Sequence, residues 1–153
     1  MYRSVLRQDG FVFSIEGDGT YVRRISRVTG KPPAARPDAL TEQAMRELRE
    51  YFAGTRKAFS VPILPEGTAF QKRVWQALRA IPYGGTRSYA EVAEAAGAPG
   101  AARAAGQAIG ANPIPVLIPC HRVIRADGSI GGFSGGLDLK RYLLDLEKQT
   151  KEM

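Results

Sequence analysis

Apolar and polar residues alternate through the first 28 positions of the chain, and from about residue 41 onward apolar residues recur mainly at spacings of three and four. The alternation predicts short strands over 2–6, 11–15 and 21–28, turned at Asp9-Gly10 and at Gly17-Asp18-Gly19 into an antiparallel meander. Residues 29–40 have no apolar period and contain three prolines, so they read as a surface connection. The helical period then predicts a helix over 41–52 with Ala44, Leu48 and Phe52 on its inner side and Gly54 as its stop. A second helix opens at Thr68, where Gln71 three residues on has capping-box spacing, and it turns Phe70, Val74, Ala77, Leu78 and Ile81 inward, with Trp75 widening that face. Pro82-Tyr83-Gly84-Gly85 ends it, and Ser88 with Glu91 forms a second capping box before Val92, Ala93 and Ala96.

The segment 100–110 continues the period in small residues, with Arg103 as its one long cationic side chain. Two short helices joined by a glycine-containing turn have the layout of a helix-turn-helix, with 100–110 in the recognition position. A bare alanine and glycine surface permits close backbone approach, either to a neighbouring helix or to DNA. Further on, Val116-Leu117-Ile118 reads as a buried strand that Pro119 terminates, because proline donates no ladder hydrogen bond. Arg125-Ala126-Asp127-Gly128 is a turn, Gly131 to Gly136 a glycine-rich loop around Phe133 and Ser134, and 137–148 a terminal helix with Leu139, Leu143 and Leu146 inward. That loop lacks the lysine and spacing of a phosphate-binding P-loop, so it reads as a wall offering amides and one hydroxyl. Glu147, near the negative end of the terminal helix, calls for a cationic or hydrogen-bond-donating partner.

The pattern gives an α+β chain long enough for one domain or two small ones, with a change of character after Pro65. Hydrophobic residues make up 44% and charged residues 24%, an ordinary globular balance. Net charge is +7, from 11 basic against 7 acidic residues up to Pro65 and 11 against 8 beyond it, so the basicity is spread and no basic tail stands out. Such a balance favours an acidic partner, nucleic acid foremost. One cysteine excludes an internal disulfide, and one cysteine with one histidine cannot close a zinc site. No signal core and no long apolar span is apparent, so the expected compartment is the reducing cytosol, with no membrane partner.

Candidate chemistry concentrates where the single cysteine meets the single histidine, in Pro119-Cys120-His121-Arg122. A thiol at the exit of a buried element, partly open and beside His121 and Arg122 as cations, is expected to have a lowered pKa and to act as a nucleophile. The same thiol reads equally well as a small buried hydrophobe, and neighbours on a regular strand point apart.

Taken together, Thr68-Ala69-Phe70-Gln71, Val74-Trp75-Gln76-Ala77-Leu78, Ile81-Pro82-Tyr83-Gly84, Thr86-Arg87-Ser88-Tyr89, Asn112-Pro113, Pro119-Cys120-His121-Arg122 and Ser134-Gly135-Gly136 closely resemble the O6-alkylguanine-DNA alkyltransferases in order and spacing. The resemblance spans the second half of the chain. It implies an RNase H-like β-plus-helix domain over 1–65 with a structural role, followed over 66–153 by a mainly helical helix-turn-helix domain, winged-helix-like, that binds DNA and accepts the alkyl group. It implies Cys120 as acceptor, His121 with Glu147 drawing the thiol proton through a water, and Tyr89 hydrogen-bonding the guanine as it leaves. Ser134 would contact the O6 side, Phe133 and Arg122 would contribute to substrate binding, and Asn112 would hold the loops. Arg103 would enter the duplex where the base is flipped out, with Ala102 and Gly106 on the same DNA-binding helix. The implied partner is double-stranded DNA carrying O6-alkylguanine, with O4-alkylthymine as a second substrate to consider. No cofactor and no metal is implied, and the chain is expected to act as a monomer able to coat DNA.

Two departures from the family stand out. Phe133 occupies a place where tyrosine is common, removing a hydroxyl while retaining an aromatic wall, and the zinc-binding cysteines and histidines of some relatives are missing. Competing readings are a lesion-binding relative without transfer, a helix-turn-helix regulator and a cysteine hydrolase. The first is disfavoured by the presence of Cys120, and the last needs a histidine within reach of the thiol and an oxyanion hole.

Overall fold

Asp9 and Gly10 both adopt positive φ, at 52° and 83°, which is the backbone of a tight hairpin turn, and they join strand β1 (Tyr2–Gln8) to β2 (Phe11–Gly17). Strand β3 (Val22–Arg27) pairs on the other side of β2, giving an antiparallel sheet of order β1-β2-β3 with an irregularity at Glu16/Gly17. In this computed structural model, which describes residues 1–153, the meander is as predicted, with β1 and β2 each two residues longer. Helix α1 (Ala39–Phe52) lays Ala44, Leu48, Tyr51 and Phe52 against Leu6, Phe13, Ile15 and Ile25, and the Phe13 and Phe52 rings stack with centroids 5.5 Å apart. The helix starts before the expected Thr41 because Asp38 is the cap: its side chain accepts from Thr41 N, and Thr41 Oγ1 accepts from Asp38 N. The preceding connection is tied to the sheet edge by a bridge between Arg3 and Arg36. Glu47, buried on α1, accepts from the amides of Ser60 and Val61 and from Ser60 Oγ, fixing the chain that follows the helix.

The chain divides at Pro65 into two units, Met1–Pro65 and Glu66–Met153. In the second, both capping boxes form: Thr68 caps helix α2 (Ala69–Arg79), and Ser88 caps α3 (Tyr89–Ala95). Helix α4 (Ala102–Gly110) begins two residues later than expected, after Gly97 and Gly100 at positive φ. It packs on α2 and α3, and Trp75 Nε1 donates to Ala108 O at 2.8 Å. Val74, Trp75, Leu78, Ile81, Val92, Ala93, Ala105, Ile114, Ile118, Leu139 and Leu143 form the buried interior. A two-residue strand, β4 (Arg87–Ser88), runs parallel to β5 (Val123–Ile124), with Arg87 opposite Val123 and Ser88 opposite Ile124. Because Ser88 also caps α3, this pairing sets the first residue of α3, Tyr89, close to the segment that precedes β5. Helix α5 (Leu137–Thr150) closes the unit, and no helix is long and apolar enough to cross a membrane.

Candidate functional site

Between α4 and β5 the backbone is irregular, and this departs from expectation. Val116-Leu117-Ile118 is not a strand. Prolines at 113, 115 and 119 remove donors a ladder would need, and the chain closes a tight turn in which Ile118 N donates to Ile114 O at 2.9 Å. Val116 stands at φ 74°, a sparsely populated conformation for a β-branched residue, and is held there while buried. Asn112 replaces the absent ladder: its Nδ2 donates to Ile118 O at 2.8 Å and its Oδ1 accepts from Ile114 N at 3.0 Å. The turn delivers Cys120 as the first residue of a single 3₁₀ turn, Cys120–Arg122, where successive side chains stand about a third of a turn apart and not on opposite faces as on a strand.

Cys120 is 3% exposed, which corrects the expectation of a partly open thiol with a lowered pKa. Burial pushes the thiol up to about 11, partly offset by the hydrogen bond from Asn112 and the charge of Lys140. His121 and Arg122 do not act as the expected cationic neighbours. Burial lowers the His121 pKa against the opposing pull of Glu147, so the imidazole is neutral at pH 7. Its Nε2 lies 2.6 Å from Glu147 Oε2, which leaves Nδ1 as the ring nitrogen that the carboxylate does not engage. Arg122 is spent on the same carboxylate, with Nε at 2.8 Å from Oε1 and Nη2 at 3.0 Å from Oε2, and donates through Nη1 to Ile81 O at 2.7 Å. Gly84 N adds a further donor to Oε1. Burial alone would raise the Glu147 pKa; the hydrogen bonds and charge it meets hold it far below the usual carboxylate range, with Arg122 as the permanent cation. The partner that Glu147 required at the helix end is therefore Arg122, supported by His121.

Cys120 forms part of the lining of a cavity of about 310 Å³ whose other walls are Tyr89, Gly106, Ile109, Gly110, Gly132, Phe133 and Ser134. Of the residues singled out in sequence, Cys120, Tyr89, Phe133, Ser134 and Gly106 thus meet at one space. His121, Glu147, Arg122 and Asn112 lie behind the thiol as a buried support and do not line it. Arg103 is exposed and Ala102 half-buried on α4, outside the lining. Gly131 is forced: φ is 74°, and a Cβ there would sit 2.8 Å from the Tyr89 hydroxyl. Ile109 and Gly110 were not foreseen as wall residues. Also unforeseen is Lys140, which does not line the cavity but is fully buried on α5 with Nζ 2.6 Å from Val123 O and 2.9 Å from Gly132 O. Its signal in the sequence is a lysine seven residues before Glu147, two turns away on the same inward face. No three His, Cys, Asp or Glu side chains gather as a metal-binding cluster.

Chemically, the arrangement offers a soft nucleophile at the base of a partly apolar slot, a neutral imidazole backed by a carboxylate, and a phenol and a hydroxyl on the walls. Residues 69–149 match the family described as 6-O-methylguanine DNA methyltransferase, DNA binding domain. A methylated-DNA–protein-cysteine methyltransferase of Methanosarcina acetivorans is 43% identical over 96% of this chain and 98% of its own length. One of the same name from Mycobacterium bovis is 56% identical over 69% of this chain and 64% of its own length. Among solved structures, Mycobacterium tuberculosis OGT in complex with DNA superposes with a TM-score of 0.89 at 41% identity, covering 98% of this chain and 94% of that one. An O6-methylguanine DNA methyltransferase from Methanococcus jannaschii gives 0.68 at 26% identity, covering 95% and 93%.

Proposed function

The chain belongs to the methylated-DNA–protein-cysteine methyltransferase family, and on that premise we propose that it repairs DNA by moving the alkyl group of O6-alkylguanine onto Cys120, once per molecule. The observation that carries this assignment is the placement of Cys120 at a cavity walled by Tyr89, Phe133 and Ser134 and backed by His121, Glu147 and Arg122. At about 310 Å³ the cavity falls within the range of about 300–1,000 Å³ usual for small-molecule sites, so it suits one base and not a duplex. The damaged base must therefore leave the stack, at a cost of a few kcal/mol.

With the thiol at about 11, only about one molecule in 10⁴ carries a thiolate at pH 7, so proton removal must accompany attack. The proton passes through a water to the neutral His121, whose positive charge Glu147 then balances. The sulfur forms its bond to the alkyl carbon as the carbon–O6 bond breaks, and that electron pair returns to the guanine. Tyr89 donates toward the leaving base and Ser134 toward O6, which stabilises the departing anion. The product thioether resists hydrolysis, and no second cysteine exists to receive the group. O4-alkylthymine presents the same alkyl–oxygen bond and is the second substrate to assay.

We assign residues 1–65 to an RNase H-like structural domain and 66–153 to a winged-helix-like DNA-binding and transfer domain, with α3 and α4 as the helix-turn-helix. Arg103 is the side chain that enters the duplex from α4, and Ala102 and Gly106 allow close approach. The exposure of Arg103 and the absence of a side-chain cap at the start of α4, which leaves its first amides to a phosphate, support this docking. A reduced nucleophile fits action as a monomer in the cytoplasm. The test is mass spectrometry after incubation with O6-benzylguanine and with alkylated duplexes: stoichiometric labelling confined to Cys120 is expected, and multiple turnovers would refute the assignment.

A further inference from the structure

The turn that follows α2 touches both members of the buried ion pair behind the thiol. Ile81 O accepts from Arg122 Nη1 at 2.7 Å, and Gly84 N donates to Glu147 Oε1 at 3.1 Å. Between them stands Tyr83, half-buried, to which the mechanism above gives no task. The Arg122 guanidinium lies over its ring, with the central carbon 5.6 Å from the ring centroid. Its hydroxyl is 2.5 Å from Thr150 Oγ1, which in turn donates to Leu146 O at 2.8 Å. A threonine hydroxyl carries one proton, and Leu146 O takes it, so the phenol is the donor to Thr150. The hydrogen bonds therefore run from Tyr83 through Thr150 to the carbonyl of the residue before Glu147. The turn also meets the end of α5 directly: Gly84 stands at φ 77°, and a Cβ there would lie 2.7 Å from Lys151 Cβ.

Resting on the alkyl-transfer reading, we propose that Tyr83 is a positioning residue of that reaction: its hydroxyl ties down the last turn of α5 and its ring covers the Arg122 guanidinium, which keeps the Glu147 carboxylate locked on His121. Helix ends fray unless their last turn is held, and Glu147 sits only three residues before the end of α5. The bonds to Thr150 and Leu146 fix the backbone on either side of it. Arg122 spends Nε and Nη2 on Glu147 and Nη1 on Ile81 O, so only the faces of its guanidinium remain. The Tyr83 ring on one face adds cation–π attraction and keeps water from the pair. Tyr83 does not line the Cys120 cavity, so its influence on transfer passes through Arg122 and Glu147 to His121.

The chain has a single histidine, so its imidazole signals in nitrogen-15 NMR report the carboxylate contact directly. Nε2, which faces Glu147, is expected as the protonated nitrogen with a slowly exchanging proton, and Nδ1 as the unprotonated one. In Tyr83→Leu, which removes ring and hydroxyl together, that proton should exchange faster with water. The single-turnover rate with saturating O6-methylguanine duplex should fall about tenfold, the combined worth of one hydrogen bond and one cation–π contact. Tyr83→Phe keeps the ring and Thr150→Val keeps the shape. Each is expected to slow transfer about threefold, and the double variant no more than either, because both break one hydrogen bond. Affinity for the duplex should match the wild type throughout. Unmoved His121 signals in Tyr83→Leu, additive losses in Tyr83→Phe and Thr150→Val, or a loss confined to DNA affinity would overturn the inference. If Tyr83→Leu does not fold, the Tyr83→Phe and Thr150→Val pair decides. Absence of transfer by the wild type sinks the functional assignment, whereas transfer at one rate in the wild type and every variant sinks only the role of Tyr83.

Discussion

At Cys120 the environment that shapes the pocket also suppresses the nucleophile, because burial favours the thiol, and the residues behind it must reverse this during attack. In the proposed transfer Glu147 is central to that reversal. It orients His121 through a 2.6 Å contact and is itself held by Arg122, so Glu147→Gln removes the anion from both. The expected loss in transfer rate is about 10²–10⁴, the range of general-base contributions, measured in single turnover with alkylated duplex. The same change leaves the Arg122 guanidinium buried without its anion, at an expected cost of about 3–5 kcal/mol in a denaturant titration. Acid should act on the same groups. The His121 pKa is lowered on folding, so its neutral form stabilises the fold above its unfolded value and this contribution fades as pH falls below about 6.5. Glu147 is likewise depressed, so its contribution is complete above its unfolded value and fades only as pH falls below about 4.5 toward its folded pKa. A melting temperature that declines between pH 7 and pH 5, and declines less in His121→Gln, is the expected result.

At the scale of elements, the loop 112–119 does what a strand would otherwise do, and Asn112 is its one side-chain brace. Asn112→Ala strips two hydrogen bonds from buried carbonyl and amide groups and removes the amide that helps lower the thiol pKa, with an expected loss of about 1–3 kcal/mol and slower alkylation of Cys120. An unchanged alkylation rate in Asn112→Ala would show that the brace has no part in presenting the thiol. This loop is also where sequence reasoning failed. Three apolar residues before a proline look like a buried strand, and only the prolines at 113 and 115, which empty the ladder of donors, argue otherwise. The helices from Thr68 onward were legible because capping boxes and inward faces are local: the residues that cap are three apart, and both boxes form. Asp38 lies ahead of the apolar period, next to a proline-containing connection, so its role as the cap of α1 is visible only in the structure. The charges of the site were the least legible. Whether His121 is neutral, and which cation Glu147 meets, depends on residues 26 and 25 positions apart in sequence that only tertiary packing joins. Lys140 was hidden beside Leu139 and Leu143, where a lysine ordinarily reads as solvated.

At the scale of the whole molecule, the net charge of +7 is spread over both units, so attraction to DNA is expected to be diffuse and strongly salt-dependent. Affinity for undamaged duplex should fall linearly on a log–log plot against salt, with a slope of about −0.9 for each phosphate neutralised. Arg103→Ala should weaken binding and, if the side chain enters the stack in place of the base, reduce transfer from duplex DNA while leaving labelling by free O6-benzylguanine near the wild-type rate. Equal losses with both substrates would instead place Arg103 in support of the pocket. A lesion-binding protein without transfer, or a helix-turn-helix regulator, would share the charge and the salt dependence but would leave Cys120 unmodified. The measurement that separates them most directly is intact-mass spectrometry of the protein, and of Cys120→Ser, after incubation with duplex DNA containing O6-methylguanine. The account predicts a gain of one methyl group in the wild type, reaching one equivalent per molecule and no more, with none in Cys120→Ser. An unmodified wild-type protein, or methylation that persists in Cys120→Ser, would contradict it.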